Sequence, residues 1–255
     1  MQSLRFSWFI LVLLLSTPLQ AAQFTVGKHG FGLLISGPIQ RGDYAKLGTY
    51  ALSTKGRNAL LNAVFLDSPG GDVGEALKIA NLLDQSFANT FVDKDAVCAS
   101  SCFLIWAAGS IRNLSGRLGV HRITLSSSDV DVNKTDKVVR PASQSVESFL
   151  IRMGMPRKIL DKMNETSSSD IFIVDNRWLF NEDIWSAVQY RPTFIDTATK
   201  KCGNDPHTAG IRSNILVDRE IALKWMTCVD GVRSDNQQIH LKEIVSLIID
   251  ASGWK

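Results

Sequence analysis

Two serines and a histidine stand at a spacing that could support nucleophilic catalysis. The serines lie in CASSCFLIWAAGS at residues 98–110, and His121 follows in LGVHRI, 21 residues after Ser100. A serine hydroxyl becomes a good nucleophile only when a base takes its proton, and histidine can supply that base. Serine between a strand and a helix often only caps the helix. The pairing with His121 favours a nucleophile over a cap.

A second stretch, LDSPGGD at residues 66–72, could bind negative charge. Pro69 restricts one backbone angle, while Gly70 and Gly71 permit angles that other residues rarely adopt. Such a loop before a helix can turn its backbone N–H groups toward an anion, as an oxyanion hole requires. A plain turn explains a lone Pro-Gly-Gly equally well.

Taken in order, three motifs resemble the proteolytic subunit of the Clp protease and the wider Clp protease/crotonase superfamily. They are LDSPGGDVGEALKIANLL, CASSCFLIWAAG and LGVHR, within a similarity that spans residues 30–190. The family has an N-S-P-G-G loop, an A-S-x-x-A-x-x-L-x-A-A-G nucleophile segment and a histidine on a short strand. The resemblance implies Ser100 as nucleophile, His121 as base, and the amides of Gly71 and Ser101 as oxyanion donors.

The third catalytic member departs from the family pattern. The family's aspartate begins a D-R-F-L segment, and the matching NRWL here places Asn176 in that position. Asp175 is adjacent and Asp170 lies six residues earlier, so either could orient His121. An asparagine can hold a histidine but stabilises its charged form less well. Asp67 also replaces the family's asparagine in the glycine loop. Slow catalysis and a non-catalytic binding module on the same fold both stay open.

The N-terminal residues have the order of a secretory signal peptide. MQSLRFSWFILVLLLSTPLQAAQ carries Arg5, then an apolar run too short for a membrane span, then small residues at Ala21 and Ala22. We expect a signal peptide over residues 1–22, cleaved after Ala21 or Ala22, and a soluble periplasmic product. The net charge of +3, from 28 basic and 25 acidic residues, does not favour nucleic acid as a partner.

Four cysteines in an exported chain indicate disulfides. Locality in the sequence favours Cys98 with Cys102, around Ser100, and Cys202 with Cys228. A zinc site made of Cys98, Cys102 and His121 lacks an obvious fourth ligand, so no metal or other cofactor is expected.

Strand-like and helix-like segments alternate, which predicts an α/β domain with a mainly parallel sheet. We expect strands at 31–39, 62–67, 90–98 and 117–123, and helices at 41–54, 72–87, 100–108 and 176–190. A polar loop is expected over 124–140, followed by a helix over 142–166 that breaks at Met155-Pro156. The domain of ββα units then covers 23–190, and 191–255 forms a small C-terminal appendage that ends in a helix over 240–251.

The resemblance implies a peptide or protein substrate cleaved by a serine hydrolase. A serine–lysine dyad would need Lys134 or Lys137 from the polar loop, and His121 makes it the lesser mechanism. Acyl-CoA chemistry of the crotonase type fits an exported protein poorly. No ATPase partner is evident. The family's assemblies imply a homo-oligomer built through the region matching 124–165, which co-purification of separately tagged chains would test.

Overall fold

Eight strands form two sheets in the part of the chain that the structure describes. A computed structural model gives residues 21–27, 31–53, 63–123, 132–206 and 218–253, with the backbone alone for 132–138. The strands are β1 (Gln23–Val26), β2 (Leu33–Ser36), β3 (Ala63–Asp67), β4 (Asn89–Val92), β5 (Val97–Ala99), β6 (Arg112–Leu114), β7 (Arg117–Val120) and β8 (Phe172–Val174).

Most neighbouring strands run parallel, as the alternating pattern predicts. The larger sheet has the order β1-β2-β3-β4-β6, in which only β1 is antiparallel to its neighbour. In the smaller sheet, β7 lies between a parallel β5 and an antiparallel β8. Ser68 connects the sheets, because its N–H donates to Val97 O at 2.8 Å and its carbonyl accepts from Ala99 N at 2.9 Å. The predicted α/β class is therefore confirmed.

The helices cover the sheets and extend the chain beyond them. They are α1 (Asp43–Leu52), α2 (Val73–Gln85), α3 (Cys102–Ala107), α4 (Val132–Arg152), α5 (Arg157–Glu165), α6 (Asn176–Asn181), α7 (Trp185–Gln189), α8 (Pro192–Cys202), α9 (Arg219–Ile239) and α10 (Leu241–Ser252). Asp72 caps α2 by accepting a 2.8 Å hydrogen bond from Glu75 N, as its place before the helix predicts. None of the helices within the described ranges is long and apolar enough to cross a membrane.

Two hydrophobic clusters organise the described residues. The main cluster lies around the sheets and includes all of α3 together with Ile244 and Ile248 from α10. A smaller cluster lies between α8 and α9, which the Cys202–Cys228 disulfide joins at a Cα–Cα distance of 5.8 Å. Within residues 191–255, the final helix therefore packs into the main cluster while α8 and α9 form their own.

Three expectations about local structure are wrong. The single helix expected over 176–190 is divided into α6 and α7, because Asp183 adopts a left-handed φ of 56° between them. The single strand expected over 90–98 is divided between β4 and β5, because the polar residues 93–95 form a turn that carries the chain from one sheet to the other. The loop expected over 124–140 is helical from residue 132, since α4 begins there and continues through Pro141. Residues 124–131 lie outside the described ranges. The expected break before Pro156 is present between α4 and α5.

Candidate active site

Four loops meet where parallel strands end, which is the usual place for a site in an α/β sheet. They follow β2, β3, β5 and β7 and enclose a cleft of about 780 Å³. The cleft is lined by Gly71, Ser100, Ser101 and His121 among others. The structure thus brings four of the predicted site residues to one cavity.

Ser100 occupies a constrained turn between β5 and α3. Its φ of 55° lies in the left-handed region, which a non-glycine residue adopts at a cost and which clusters at functional sites. The turn is held on one side by the Ser100 N–H, which donates to Gly119 O at 2.8 Å. It is held on the other by the Cys98–Cys102 disulfide, whose Cα atoms are 5.2 Å apart. The half-buried Ser100 side chain is presented to the cleft.

His121 lies beside this turn because of the strand register. Ala99 pairs with Gly119 in the parallel β5–β7 ladder, so Ser100 and His121 follow the ends of neighbouring strands that lie about 4.8 Å apart. His121 Nδ1 is 2.9 Å from the carbonyl oxygen of Arg122. A protonated Nδ1 would donate to that oxygen and leave Nε2 as the acceptor. No hydrogen bond joins the described Ser100 and His121 side chains, and contacts between a nucleophile and its base often tighten only when substrate binds.

The glycine loop presses directly against the Ser100 turn. A Cβ atom on Gly70 would come within 2.7 Å of Ser100 Cβ, so only glycine fits there. Gly71 has a φ of 146° and lies between two hydrogen bonds, from Ile39 N to Gly70 O and from Asp72 N to Ile39 O. Those bonds use the neighbours of Gly71 and leave its own N–H without an acceptor among the described residues.

The Ser101 N–H is likewise unpaired within the described part of the chain. Two free backbone donors, from Gly71 and Ser101, therefore belong to residues that line the cleft next to Ser100. Unpaired donors beside a nucleophile are what stabilisation of a developing oxyanion requires. The Ser101 hydroxyl is buried without a hydrogen-bond partner, which separates it from the half-exposed Ser100 hydroxyl.

Residues 38–41 form one wall of the cleft, and α2 holds the chain that follows them. Glu75 accepts hydrogen bonds from Gly42 N at 3.0 Å and Tyr44 N at 2.9 Å, and pairs with Lys78 at 2.7 Å. Burial by itself would raise the pKa of Glu75, but these hydrogen bonds and the Lys78 charge hold that pKa below its usual value. The carboxylate therefore stays charged and keeps this wall in place.

Asn176 lies at the opposite end of the β7–β8 ladder from His121. Leu118 pairs with Val174 in this antiparallel ladder, so Asn176 lies opposite Gly116. Gly116 precedes His121 by five residues, which corresponds to roughly 17 Å along a strand. The Asn176 amide donates to Leu114 O at 2.7 Å and accepts from Trp185 Nε1 at 3.2 Å. Through these two hydrogen bonds the Asn176 side chain, at the start of α6, connects β6 with α7.

The two aspartates proposed as substitutes have different surroundings. Asp175 caps α6 by accepting from Trp178 N at 2.9 Å, next to Asn176. Asp170 is exposed and lies at the His121 end of the ladder, where Arg122 N donates to Thr166 O at 3.1 Å. No hydrogen bond joins Asp170 to His121 among the described residues. The only described partner of the histidine ring is the Arg122 carbonyl, which the residue types could not reveal.

The far wall of the cleft is apolar. Its described side chains include Leu77, Phe103, Leu104, Val146 and Met163, supplied by α2, α3, α4 and α5. Sequence reasoning did not identify these positions as part of a site, because an apolar side chain that lines a cleft has the same periodicity as one that lies in the interior. The cleft thus combines an apolar wall with polar groups at the Ser100 end.

Comparisons with known proteins find only distant structural similarity. No family model matches the sequence, and no curated protein matches it. Among solved structures, a mutant ClpP1 from Listeria monocytogenes aligns at 14% identity and a TM-score of 0.42, over 58% of this chain and 84% of that one. A mutant of the 1510-N membrane-bound stomatin-specific protease aligns at 17% identity and a TM-score of 0.42, over 67% of this chain and 83% of that one. The similarity is distant.

Proposed function

We propose that this protein is an exported serine hydrolase that cleaves peptide bonds. The observation that carries the proposal is the turn at Ser100. The serine adopts a left-handed backbone angle between a strand and a helix, half-exposed in a cleft that His121 and two unpaired amides also line. A helix cap needs neither the strained angle nor the unpaired donors around it.

The residues suggest an acyl-transfer mechanism. His121 Nε2 takes the hydroxyl proton as Ser100 Oγ attacks the carbonyl carbon of the scissile bond. The tetrahedral intermediate places its negative oxygen against the N–H groups of Gly71 and Ser101. His121 then gives the proton to the leaving amine, and the acyl-serine is hydrolysed by a water that the same histidine deprotonates.

The Arg122 carbonyl takes the place of an acidic third member in this mechanism. By accepting a hydrogen bond from His121 Nδ1 at 2.9 Å, it selects the tautomer that leaves Nε2 free to act as base. A neutral carbonyl stabilises the imidazolium less than a carboxylate does, so we expect turnover slower than that of a complete Ser-His-Asp triad.

The disulfides support a location outside the cytoplasm, and the apolar wall of the cleft indicates the kind of substrate. Two disulfides join all four cysteines, as an oxidising compartment such as the periplasm permits. The apolar wall that includes Phe103 and Leu104 favours a peptide with an apolar side chain near the scissile bond.

A binding module that holds peptides without cutting them is the second candidate. Ser100 and His121 share the cleft but no hydrogen bond, and Asn176 is engaged far from the histidine. In that case the apolar wall would bind the peptide and the Ser100 turn would remain chemically inert.

Incubation of the purified protein with a peptide library, followed by mass spectrometry, separates the two candidates. The hydrolase should generate new peptide termini that vanish in Ser100→Ala. Ser110→Ala is the control for loss of a serine hydroxyl, because the Ser110 side chain is buried without a hydrogen-bond partner and does not line the cleft. Retained cleavage in Ser100→Ala, or binding of peptides without cleavage, would refute the proposed chemistry.

A further inference from the structure

Ala22, next to the expected signal-peptide cleavage site, is already part of the folded domain. It is 5% exposed and belongs to the main hydrophobic cluster. Its backbone nitrogen donates a hydrogen bond to Asp43 Oδ2 at 3.3 Å, and Asp43 is fully buried. The first residue after a cut between Ala21 and Ala22 would therefore face a buried carboxylate.

Asp43 has further partners on both of its oxygens. Oδ2 also accepts from Gln40 N at 2.7 Å, and Oδ1 pairs with Lys46 Nζ at 2.8 Å. A buried carboxylate is stable only when donors or positive charges surround it. The Lys46 side chain is about half exposed, so a buried positive charge at Ala22 would be a stronger partner than the lysine.

Cleavage between Ala21 and Ala22 creates that charge. Water adds across the peptide bond, Ala21 leaves with the new carboxylate, and Ala22 keeps an amine that is protonated near neutral pH. A neutral N–H donor is thus replaced by an ammonium group at the same position. A cut after Ala22 would instead remove a buried core residue and one of the donors to Asp43.

Asp43 is also connected to the cleft. It binds Gln40 N, and residues 38–41 line the cleft. Within that wall, Ile39 bonds to Gly70 and to Asp72 and so holds Gly71 between them. A change at Asp43 can therefore reach the Gly71 amide through the hydrogen bond to Gln40, the Ile39–Gln40 peptide bond and the hydrogen bonds of Ile39.

We propose that Asp43 is the receptor for the α-ammonium group of Ala22 and that this ion pair positions the Gly71 amide for catalysis. The inference rests on the proposed hydrolase function. Removal of the signal peptide then completes the site, so the precursor has lower activity than the exported product. Asp43 acts as a positioning residue, because it touches the wall of the cleft and not the reacting atoms.

The test uses the full chain, exported and processed in a bacterial host, with the N-terminus of the product read by mass spectrometry. Three variants accompany it: Gly-Ser inserted between Ala21 and Ala22, Asp43→Asn, and both together. Fluorophosphonate labelling of Ser100 and the melting temperature are measured for each. We expect a product that begins at Ala22, and an insertion that slows labelling about tenfold and lowers the melting temperature by roughly 5 °C.

The double variant distinguishes an ion pair from a structural role of Asp43. If the ammonium acts through Asp43, the insertion has no further effect in the Asp43→Asn background. If Asp43 only holds Gln40, the insertion has the same effect in the wild type and in Asp43→Asn, or it has no effect in either. A product that begins at Gln23, or equal labelling with and without the insertion, overturns the inference while the hydrolase stands. Absence of labelling in every form refutes the hydrolase, and the melting temperatures still report on the ion pair.

Discussion

The two ends of the β7–β8 ladder use their polar side chains in different ways. At one end, His121 lines the cleft, and its ring has one described partner, the carbonyl of its own neighbour Arg122. At the other end, both polar atoms of Asn176 are bound, to Leu114 O and to Trp185 Nε1. The histidine keeps a ring nitrogen available for chemistry. The amide of Asn176 instead makes hydrogen bonds that connect β6 with α7.

This difference shows why a matching motif position is weak support for a role. The motif resemblance places Asn176 at the position of the family's aspartate, yet its hydrogen bonds hold β6 against α7. A buried polar group with all its bonds made stabilises a fold, and one left with an unused donor or acceptor in a cleft can act on a ligand. Substitutions at both ends of the ladder, in the glycine loop and at the disulfides test this contrast.

The largest effect is expected at the histidine end. His121→Ala should slow fluorophosphonate labelling of Ser100 by about 10³-fold, because the serine loses its general base. Thermal unfolding should change little, since the half-buried ring has a single described hydrogen bond. Labelling that stays within a few-fold of the wild type would place the base elsewhere.

Gly71→Ala should lower peptide cleavage by about 10²-fold, which is the effect of losing one oxyanion donor. Its φ of 146° disfavours alanine, and the added Cβ would press on the Ile39 carbonyl and displace the Gly71 N–H. Gly231→Ala is the control, because nothing lies near its Cβ position in α9 and alanine favours the helix. Equal cleavage by both variants would argue against an oxyanion role for Gly71.

The two disulfides should differ in what they protect. Replacing Cys98 and Cys102 by alanine should lower stability by about 2 kcal/mol and slow labelling about tenfold, because the Ser100 turn loses its covalent support. Replacing Cys202 and Cys228 opens a longer loop and should lower stability by about 3.5 kcal/mol. Labelling below the unfolding transition should then stay at the wild-type rate. The reverse pattern would show that the first disulfide has no part in shaping the site.

The smallest effect on activity is expected at the asparagine end. Asn176→Asp removes the donor to Leu114 O and brings a carboxylate toward that carbonyl, which should lower stability by about 1–3 kcal/mol. Cleavage should not rise, because the new carboxylate would remain far from His121. An increase in turnover measured with the same peptides would show that position 176 does serve the histidine.

The sequence was sufficient for the order of the elements near the cleft. The glycine loop, the apolar helix after Ser100 and the short strand before His121 are all present, because each combines a strong local pattern with a clear end. The split between β4 and β5 was missed, since a turn at 93–95 inside an apolar run looks like part of one strand. The first half of α4 was missed because its polar residues and Pro141 are typical of loops.

The candidate site was predictable in its side chains and less so in its backbone. Ser100 and His121 are visible as residue types at a suitable spacing. The amides of Gly71 and Ser101 were expected only through the family resemblance, and nothing in the sequence indicated the Arg122 carbonyl. Backbone groups carry no residue-type signal, because every residue has a carbonyl and nearly every one an N–H. Their roles depend on the register of β7 and on the bonds around Ile39, which only the structure reveals.

The activated serine is the central claim, and fluorophosphonate labelling of the exported protein with mass-spectrometric mapping tests it most directly. The wild type should carry the label on Ser100, and His121→Ala should be almost unlabelled under the same conditions. Folded, disulfide-intact protein that takes up no label, or takes it up at another residue, would contradict a nucleophile at the Ser100 turn.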